Sequence, residues 1–238
     1  MAKVWVDGQT QVEVVEALGS NTVHLTVDGK EIRAAPGQTI LEAVARRPGI
    51  GNVPALCYHP AVKPYGACRL CTVEVTEGSK SRFVAACLYP VEEGLEVKTD
   101  TERVRKLRKG ILELLLARCP NVKKIQNLAK EYGVEKPRFA LGDQDCILCG
   151  LCVRACQEII GRSAISLVNR GIYREVAAPF YAYELSEECI GCGDCVYVCP
   201  TGALYLGPDG KPVLPKVKIP YPEIEAMLRE GAVAPSRS

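Results

Sequence analysis

Alternating hydrophobic and polar residues predict several short β-strands in the first hundred residues. Alternation of this kind is typical of strands that bury one face against a core. Asp28-Gly29, between the first two alternating segments, is typical of a two-residue hairpin turn. The predicted strands are Val23–Val27, Glu31–Ala35, Thr72–Val75, Arg82–Ala86 and Leu95–Val97. They predict a small mixed sheet, and a further strand is expected within residues 1–20.

Helical periodicity first appears after a turn at Pro36-Gly37. Thr39 and Glu42 have the spacing of a capping box, in which each side chain accepts the backbone N–H of the other residue. The apolar residues that this helix would bury are Ile40, Leu41, Ala43 and Val44. We therefore expect one helix to cross the sheet.

Two further helices are predicted between residues 100 and 140. Asp100 or Thr101 can cap a long helix that runs to about Ala117. Its apolar residues at helical spacing are Val104, Leu107, Ile111, Leu114 and Leu115. A second helix over residues 122–132 would end at Gly133, because glycine is favoured after a helix C-terminus.

The 238 residues include 13 cysteines, and the formal net charge is +2. An odd cysteine count argues against a fully paired disulfide framework, and the start of the sequence lacks the basic and then apolar pattern of a signal peptide. We therefore expect reduced thiols and a cytoplasmic location. The sequence contains no uninterrupted run of about 18 apolar residues, so no membrane span is predicted. The small net charge argues against nucleic acid as the main partner.

Two groups of cysteines repeat the spacing Cys-x2-Cys-x2-Cys-x3-Cys. Three thiolates on so tight a loop suit a [4Fe-4S] cube, and in a paired module the fourth thiolate, on the helix that follows, binds the other cube. One [4Fe-4S] cluster is therefore predicted on Cys146, Cys149, Cys152 and Cys199. A second is predicted on Cys189, Cys192, Cys195 and Cys156. The alternative is structural zinc, which also takes four thiolates but needs only two Cys-x2-Cys pairs.

The remaining group has the spacing Cys-x10-Cys-x2-Cys-x15-Cys. Three ligands on a loop and one from a later strand are expected of a plant-type [2Fe-2S] site, although that type has a shorter first gap. The predicted ligands are Cys57, Cys68, Cys71 and Cys87. A Rieske site using His59 would need a second histidine where Cys71 stands, and zinc is the other alternative. His59 is then expected to be structural or to lie just outside the ligands.

Two features near the predicted helices stand apart from these groups. Cys119 has no other cysteine at ligand spacing and is expected to be a free, partly buried thiol. A dense basic run is interpreted as a solvated helix face, with a docking patch as the alternative. Its residues are Arg103, Arg105, Lys106, Arg108 and Lys109.

The first cysteine group resembles part of a known family. Its segments Leu56-Cys57-Tyr58-His59-Pro60 and Gly66-Ala67-Cys68-Arg69-Leu70-Cys71, followed by Ala86-Cys87, resemble the N-terminal domain of the large iron-sulfur subunit of respiratory complex I. With the repeated four-cysteine runs, residues 23–206 look like the iron-sulfur diaphorase subunit of NAD-linked hydrogenases and related subunits of formate dehydrogenases and electron-bifurcating complexes.

The resemblance implies an α+β protein built from separate cofactor modules. The expected order is a β-grasp [2Fe-2S] ferredoxin domain over 1–100, a helical linker over 101–140 and a ferredoxin-like domain with two [4Fe-4S] clusters over 141–208. A proline-rich extended tail is expected over 209–238, with a short helix over 223–229.

One departure from the resemblance concerns an additional cluster. Those families commonly carry a His-x3-Cys-x2-Cys-x5-Cys motif after the linker helix. Residues 117–125 contain one cysteine, Cys119, and no histidine. The additional cluster is therefore expected to be absent.

These features predict a non-catalytic electron-transfer subunit of an NAD(H)-linked oxidoreductase. The resemblance implies a flavoprotein NAD(H)-binding partner, a separate hydrogenase, formate or aldehyde oxidoreductase subunit and, in a bifurcating complex, a ferredoxin. The sequence contains no Gly-x-Gly-x-x-Gly and no phosphate loop, which places nicotinamide and flavin in the partners. One alternative is a subunit like the iron-sulfur protein of succinate dehydrogenase or fumarate reductase, disfavoured by the x10 gap and two complete four-cysteine runs. The other is a free-standing ferredoxin, which would not need the linker and tail.

Overall fold

The computed structural model describes residues 22–45, 47–78, 80–178, 185 and 187–215. The chain divides into two compact units, Met1–Val53 with Cys71–Val104, and Pro54–Leu70 with Arg105–Ser238. The strand expected within residues 1–20 and the helix expected over 223–229 lie outside the described residues.

The first unit contains a five-stranded mixed sheet. Its strands are β1 (Val23–Val27), β2 (Lys30–Ala34), β3 (Thr72–Glu77), β4 (Lys80–Ala85) and β5 (Leu95–Lys98). They lie in the order β2-β1-β5-β3-β4, in which β1 and β5 are parallel and the other neighbours are antiparallel. The predicted strands are therefore confirmed, with ends that move by one or two residues.

Local sequence signals explain the turn between β1 and β2 and the start of the first helix. Val27 pairs with Lys30 across Asp28 and Gly29, which both have positive φ as a type I′ hairpin turn requires. Helix α1 (Ile40–Ala45) opens with the predicted capping box. The Thr39 N–H donates to Glu42 Oε2 at 2.8 Å, and the Glu42 N–H donates to Thr39 Oγ1 at 3.3 Å.

The two predicted central helices are also confirmed. Helix α2 spans Glu102–Arg118, and the Thr101 hydroxyl caps it by accepting the Val104 N–H at 3.2 Å. Helix α3 spans Lys123–Glu131 and is followed by Gly133 at positive φ. Leu56 and Leu70, from the loop of residues 54–70, share one hydrophobic cluster with apolar residues of both helices.

The buried face of α2 is only partly the predicted one. Val104 is buried, and Ile111 and Leu115 pack against the hydrophobic cluster. Leu107 and Leu114 are exposed at 41% and 51%, whereas Arg108 is only 1% exposed. The buried positions in this part of the helix include Arg108, Leu112 and Leu116. The interpretation of the basic run as wholly solvated is therefore wrong for Arg108, whose Nη1 donates to the Tyr132 hydroxyl at 3.1 Å.

The remaining elements of the second unit are short. Helix α4 (Leu151–Arg154) continues directly into a π-helical turn, Ala155–Ile159. Two small hairpins follow, β6 with β7 and β8 with β9, on either side of helix α5. Their bounds are β6 (Ser166–Val168), β7 (Glu175–Ala177), α5 (Asp194–Tyr197), β8 (Tyr205–Leu206) and β9 (Pro212–Val213), with a 3-10 turn at Gly171–Tyr173. The chain is thus of the α+β class.

Within the part of the chain that the structure describes, no helix is both long enough and apolar enough to cross a membrane.

Candidate iron-sulfur sites

The two repeated cysteine loops have left-handed residues at the same two positions. In the first loop Leu148 and Gly150 have φ of 55° and 72°, and in the second Gly191 and Gly193 have φ of 70° and 80°. These left-handed residues lie just before the second cysteine and just after it in each run, where they turn the chain back on itself. Glycine adopts this conformation without steric cost, which explains Gly150 and Gly193 at the start of α4 and α5.

The thiols of the first run lie close to Cys199. The pKa of Cys149 is raised to about 12, chiefly by burial and to a smaller extent by the nearby Cys146 and Cys199 thiols. Burial also raises the pKa of Cys152 well above its ordinary value, with Cys149, Cys146 and Cys199 acting in the same direction. Cys199 therefore lies within electrostatic reach of all three cysteines of the first run, since it also raises the pKa of Cys146.

The thiols of the second run lie close to Cys156 in the same way. The pKa of Cys195 is raised to about 11, chiefly by burial and to a smaller extent by the Cys192, Cys189 and Cys156 thiols. One cleft is lined by all four of these cysteines together with apolar residues such as Ile160 and Ile165. The structure thus brings each run together with the fourth cysteine of the other run, as the crossed ligand assignment requires. The assignment itself stays a prediction.

The fourth cysteines of the two runs lie in different secondary structure. Cys156 lies inside the π-helical turn Ala155–Ile159. Cys199 lies two residues beyond the end of α5 at Tyr197. The expectation that both would lie on the following helix is therefore wrong for Cys199, because α5 has only one turn.

Backbone N–H groups point at several of these sulfurs. The Leu148 N–H donates to Cys146 Sγ at 3.4 Å. Backbone hydrogen bonds from Leu151 and Val196 lower the pKa of Cys149 and Cys195 against the larger effect of burial. Such bonds stabilise negative charge on sulfur and are one of the protein's means of adjusting an iron-sulfur potential.

Cys57 and Cys68 of the first group lie together in the second unit. The Cys68 N–H donates to Cys57 Sγ at 3.4 Å. A side-chain hydrogen bond with Cys57 lowers the pKa of Cys68 to about 6, with backbone hydrogen bonds in support and burial in opposition. Cys68 is therefore disposed to be a thiolate, the form that binds iron.

Cys71 and Cys87 lie in the first unit, at one end of the β3–β4 hairpin. Both are buried, at 0% and 1% exposure. The Ala86 N–H donates to the Cys71 carbonyl at 3.1 Å, and the Ala86 carbonyl accepts the Leu41 N–H of α1 at 2.9 Å. Strand pairing and α1 therefore fix the backbone beside both cysteines.

Two arginines beside predicted ligands are functional candidates that the sequence did not reveal. The Arg118 Nε donates to the Cys146 carbonyl at 2.9 Å, and the Arg154 Nη2 donates to the Cys57 carbonyl at 3.0 Å. Each guanidinium also has a buried nitrogen, Arg118 Nη2 and Arg154 Nε, with no hydrogen-bond partner in the described structure.

These observations test whether the residues fit iron-sulfur clusters. Buried thiols that repel one another as thiolates need positive charge between them, and the buried arginine N–H groups need acceptors. A cluster supplies both, because its iron is cationic and its sulfides accept hydrogen bonds. The residues fit the clusters predicted from the spacing.

The described residues contain no group of three or more His, Cys, Asp or Glu side chains arranged for a single metal ion. That finding concerns mononuclear sites, whereas the ligands of an iron-sulfur cluster surround several iron atoms.

Cys119 lies apart from these sites. Its thiol is fully buried, at 0% exposure, rather than partly buried as expected. It packs in the hydrophobic cluster with Leu116, Val122 and Ile125, and burial raises its pKa to about 12. Hydrophobic side chains thus surround the single cysteine of residues 117–125.

Family models match the two cysteine-rich regions separately. A 2Fe-2S iron-sulfur cluster binding domain matches residues 20–102, and a 4Fe-4S dicluster domain matches residues 145–203. The N-terminal β-grasp [2Fe-2S] domain, the helical connection and the C-terminal dicluster domain of the predicted fold class are therefore confirmed.

Similar proteins have names from NAD(P)H-linked enzymes. The alpha subunit of the NADPH-Fe(3+) oxidoreductase of Geobacter sulfurreducens is 38% identical over 78% of this chain and 24% of the relative. An NADH-quinone oxidoreductase subunit of Rickettsia prowazekii is 31% identical over 76% of this chain and 30% of the relative. The chain thus spans about a quarter of the length of these curated relatives.

A solved structure covers a comparable portion of the chain. In the crystal structure of the NAD+-reducing [NiFe]-hydrogenase in the H2-reduced state, one chain is 34% identical to this protein with a TM-score of 0.55. The match covers 67% of this chain and 75% of the hydrogenase chain. The chain belongs to the family of iron-sulfur electron-transfer subunits to which that hydrogenase chain and the matching NADH-quinone oxidoreductase subunits also belong.

Proposed function

We propose that this chain relays single electrons between a flavoprotein NAD(H)-binding subunit and a separate catalytic subunit. It would do so with one [2Fe-2S] and two [4Fe-4S] clusters, which accept and donate one electron at a time when bound. The observation that carries the proposal is the ligand spacing of twelve cysteines, together with the proximity of each four-cysteine run to the fourth cysteine of the other. The names of the relatives support partners from NAD(H)-linked oxidoreductase complexes.

The described cysteines form a continuous series through the second unit. Cys57 and Cys149 share one apolar cluster with Val62 and Leu151, and Cys68 packs against the same cluster. Farther along, the Cys195 thiol is close enough to raise the pKa of Cys152. The series thus joins cysteines of all three groups within the second unit.

The residues of this series hold ligands and exclude water. Val62, Leu151, Ala155 and Val198 are all buried around Cys57 and Cys149. Apolar surroundings reduce solvent access to a redox centre and so help to set its potential. The partner subunits would then supply hydride transfer at the flavin and the chemistry of the final substrate.

The specific partners follow from the chemistry of the exchange. NADH gives up two electrons as hydride, and a flavin can pass them on one at a time to iron-sulfur centres. A hydrogenase, formate or aldehyde oxidoreductase subunit would be the partner at the other end, with a ferredoxin as a further partner in a bifurcating complex. The matches to NADH- and NADPH-named relatives favour this function over a succinate dehydrogenase-like subunit.

The test is reduction of the clusters by NADH in the intact complex. The tagged chain should be isolated anaerobically from its native cells with its bound subunits, mixed with NADH and examined by EPR spectroscopy. We expect the [2Fe-2S] and [4Fe-4S] signals of the complex to appear after NADH is added.

The matched control is the full chain isolated alone. Dithionite should reduce its clusters, whereas NADH should not, because no flavin is present to split the electron pair. Zinc in place of iron, or clusters in the complex that NADH leaves oxidised while dithionite reduces them, would contradict the proposal.

A further inference from the structure

Arg118 and Arg154 lie in an unusual setting for arginine, a residue that is usually found at the protein surface. Each places part of its guanidinium in the protein interior, and each leaves one buried N–H without a partner in the described structure. Neither forms an ion pair among the described residues, whereas Arg82, Arg103, Arg138 and Arg162 do. A buried cation with a spare donor is costly unless a negatively charged acceptor lies nearby.

Arg118 is the last residue of α2 and lies against the first four-cysteine run. Its Nε donates to the Cys146 carbonyl at 2.9 Å, while its own carbonyl accepts the Gln144 N–H at 2.9 Å. A cation at a helix C-terminus is favoured by the helix dipole alone, but that preference would be met in solvent. Burial of Nη2 beside a cysteine loop points to an acceptor on the cluster side.

Arg154 lies in sequence between Cys152 and Cys156 and reaches the loop of the first cysteine group. Its Nη2 donates to the Cys57 carbonyl at 3.0 Å, its Nη1 donates to the Lys63 carbonyl, and its guanidinium lies 5.5 Å from the Tyr65 ring centroid. Glu158, one turn farther on, accepts the Lys63 N–H at 2.7 Å. The guanidinium is thus fixed from several sides next to Cys57.

We propose that Arg118 and Arg154 are positioning residues that raise the reduction potentials of two different clusters. Arg118 acts on the [4Fe-4S] cluster predicted on Cys146, and Arg154 acts on the [2Fe-2S] cluster predicted on Cys57. The inference rests on the proposed function, because it concerns the clusters that function requires.

The physical reason is the charge of a cluster in its thiolate cage. Reduction adds an electron to a site that already has net negative charge, so a nearby buried cation stabilises the reduced form more than the oxidised form. Hydrogen bonds to cluster sulfur act in the same direction.

The experiment is an EPR-monitored redox titration of the full chain, isolated anaerobically. The variants are Arg118→Gln and Arg154→Gln, which remove the charge, and Arg118→Lys and Arg154→Lys, which retain it. Arg105→Gln, exposed on the same helix α2 as Arg118, is the control.

We expect each glutamine variant to lower the midpoint potential of its own cluster and to leave the other cluster at the wild-type value. The lysine variants should recover most of the difference, and Arg105→Gln should titrate like wild type. A merely structural role would change the amount of bound iron. It would not lower the midpoint potential of one cluster in the Arg118 variant and of the other cluster in the Arg154 variant.

The result that would overturn the inference is wild-type potentials in both glutamine variants, or an equal shift of every cluster in each. If a glutamine variant binds no iron, the methionine variant of the same arginine, which also removes the charge, replaces it: a lowered potential of its own cluster supports the inference and a wild-type potential contradicts it. Absence of cluster signals from the wild-type chain would overturn the proposed function as well, so the two failures are distinguishable.

Discussion

The setting of Cys119 suppresses the reactivity of its thiol. The side chain is fully buried, and its pKa is raised to about 12 chiefly by burial. Since the thiolate is the reactive form, Cys119 should resist alkylation by iodoacetamide at pH 8 in the folded, cluster-loaded protein. Peptide mass spectrometry after alkylation measures this directly.

The matched variant for this prediction is Cys119→Ser. It should leave the iron content and every reduced EPR signal unchanged, because serine removes only a thiol that binds nothing. Denatured protein should be alkylated at Cys119, which controls for detection of the peptide. Loss of one cluster's signal in the variant would identify Cys119 as a ligand.

Cys156 and Cys199 are predicted to exchange clusters between the two repeated runs. Cys199→Ser should damage the cluster held by Cys146, Cys149 and Cys152, and Cys156→Ser should damage the other, because a missing thiolate leaves an iron without its ligand. The [2Fe-2S] signal should persist in both variants. EPR or Mössbauer spectroscopy of each single variant provides the measurement.

Local ligation is the competing outcome. If Cys199→Ser disturbs only the cluster of Cys189, Cys192 and Cys195, each run closes its own site. The electrostatic proximity of Cys199 to Cys146 would then reflect neighbouring clusters rather than a shared one.

Spacing along the chain revealed the cysteines but could not reveal the arginines beside them. A Cys-x2-Cys motif is local, so its chemistry can be recognised from a few residues. Arg118 and Arg154 contact carbonyls that lie 28 and 97 residues away in the sequence. Only the tertiary fold brings such groups together, and no periodic pattern indicates them.

At the scale of an element, α2 shows how a helix can be predicted correctly and its buried face only in part. The predicted stripe included Leu107 and Leu114, which are exposed, as well as Val104, Ile111 and Leu115, which are buried or partly buried. The structure buries the row of Arg108, Leu112 and Leu116 instead of the two exposed leucines. An arginine has a long apolar stem and a polar end, so it can join a buried row when its guanidinium finds a partner such as the Tyr132 hydroxyl. Residue type alone therefore predicted the wrong environment for Arg108.

The two sides of α2 provide a matched pair of stability variants. Leu112 is fully buried and Leu114 is 51% exposed, on the same helix and with the same side chain. Leu112→Ala should cost about 2 to 5 kcal/mol, whereas Leu114→Ala should cost less than about 0.5 kcal/mol. The apparent Tm, followed by anaerobic circular dichroism, should fall on the order of 5 to 15 °C for the first variant only.

Equal losses in the two variants would contradict the assigned face of α2. The wild-type iron content of Leu114→Ala serves as a check that cluster binding is intact. Because cluster loss makes unfolding irreversible, the comparison should use one heating rate throughout.

At the scale of the whole molecule, clusters change the charge as well as the chemistry. The formal net charge is +2 with neutral cysteines and a sequence pI of about 7.9. Three clusters, each with a net charge of about −2 including its thiolates, would bring the protein to about −4. The loaded protein should therefore focus at a markedly lower pH than the iron-free protein in native isoelectric focusing.

Iron analysis of the same fractions completes this prediction. The low-pI form should contain about 10 iron atoms per chain, from one [2Fe-2S] and two [4Fe-4S] clusters. Identical isoelectric points for the iron-loaded and iron-free forms would contradict the charge assignment. About four iron atoms fewer would indicate that one of the cubes is absent.

The division of the molecule was only partly accessible from the sequence. Alternation predicted the strands of the first unit because strand periodicity is local. It could not show that residues 54–70, between α1 and β3, would belong to the other unit, where Leu56 and Leu70 pack against the helices. The domain boundaries drawn from the sequence stay a prediction, since loops carry no periodic sign of what they pack against.

The two cube sites differ in how much of their ligand shell meets solvent, and this difference sets an order of decay in air. Cys192 of the second run is exposed, whereas Cys149 and Cys152 of the first run are buried. Oxidants reach accessible sulfur first. Oxidative damage should therefore begin at the cluster of the second run and leave the cluster of the first run intact for longer. Brief exposure to oxygen would then produce a protein that has lost only the last cluster of the electron-transfer series.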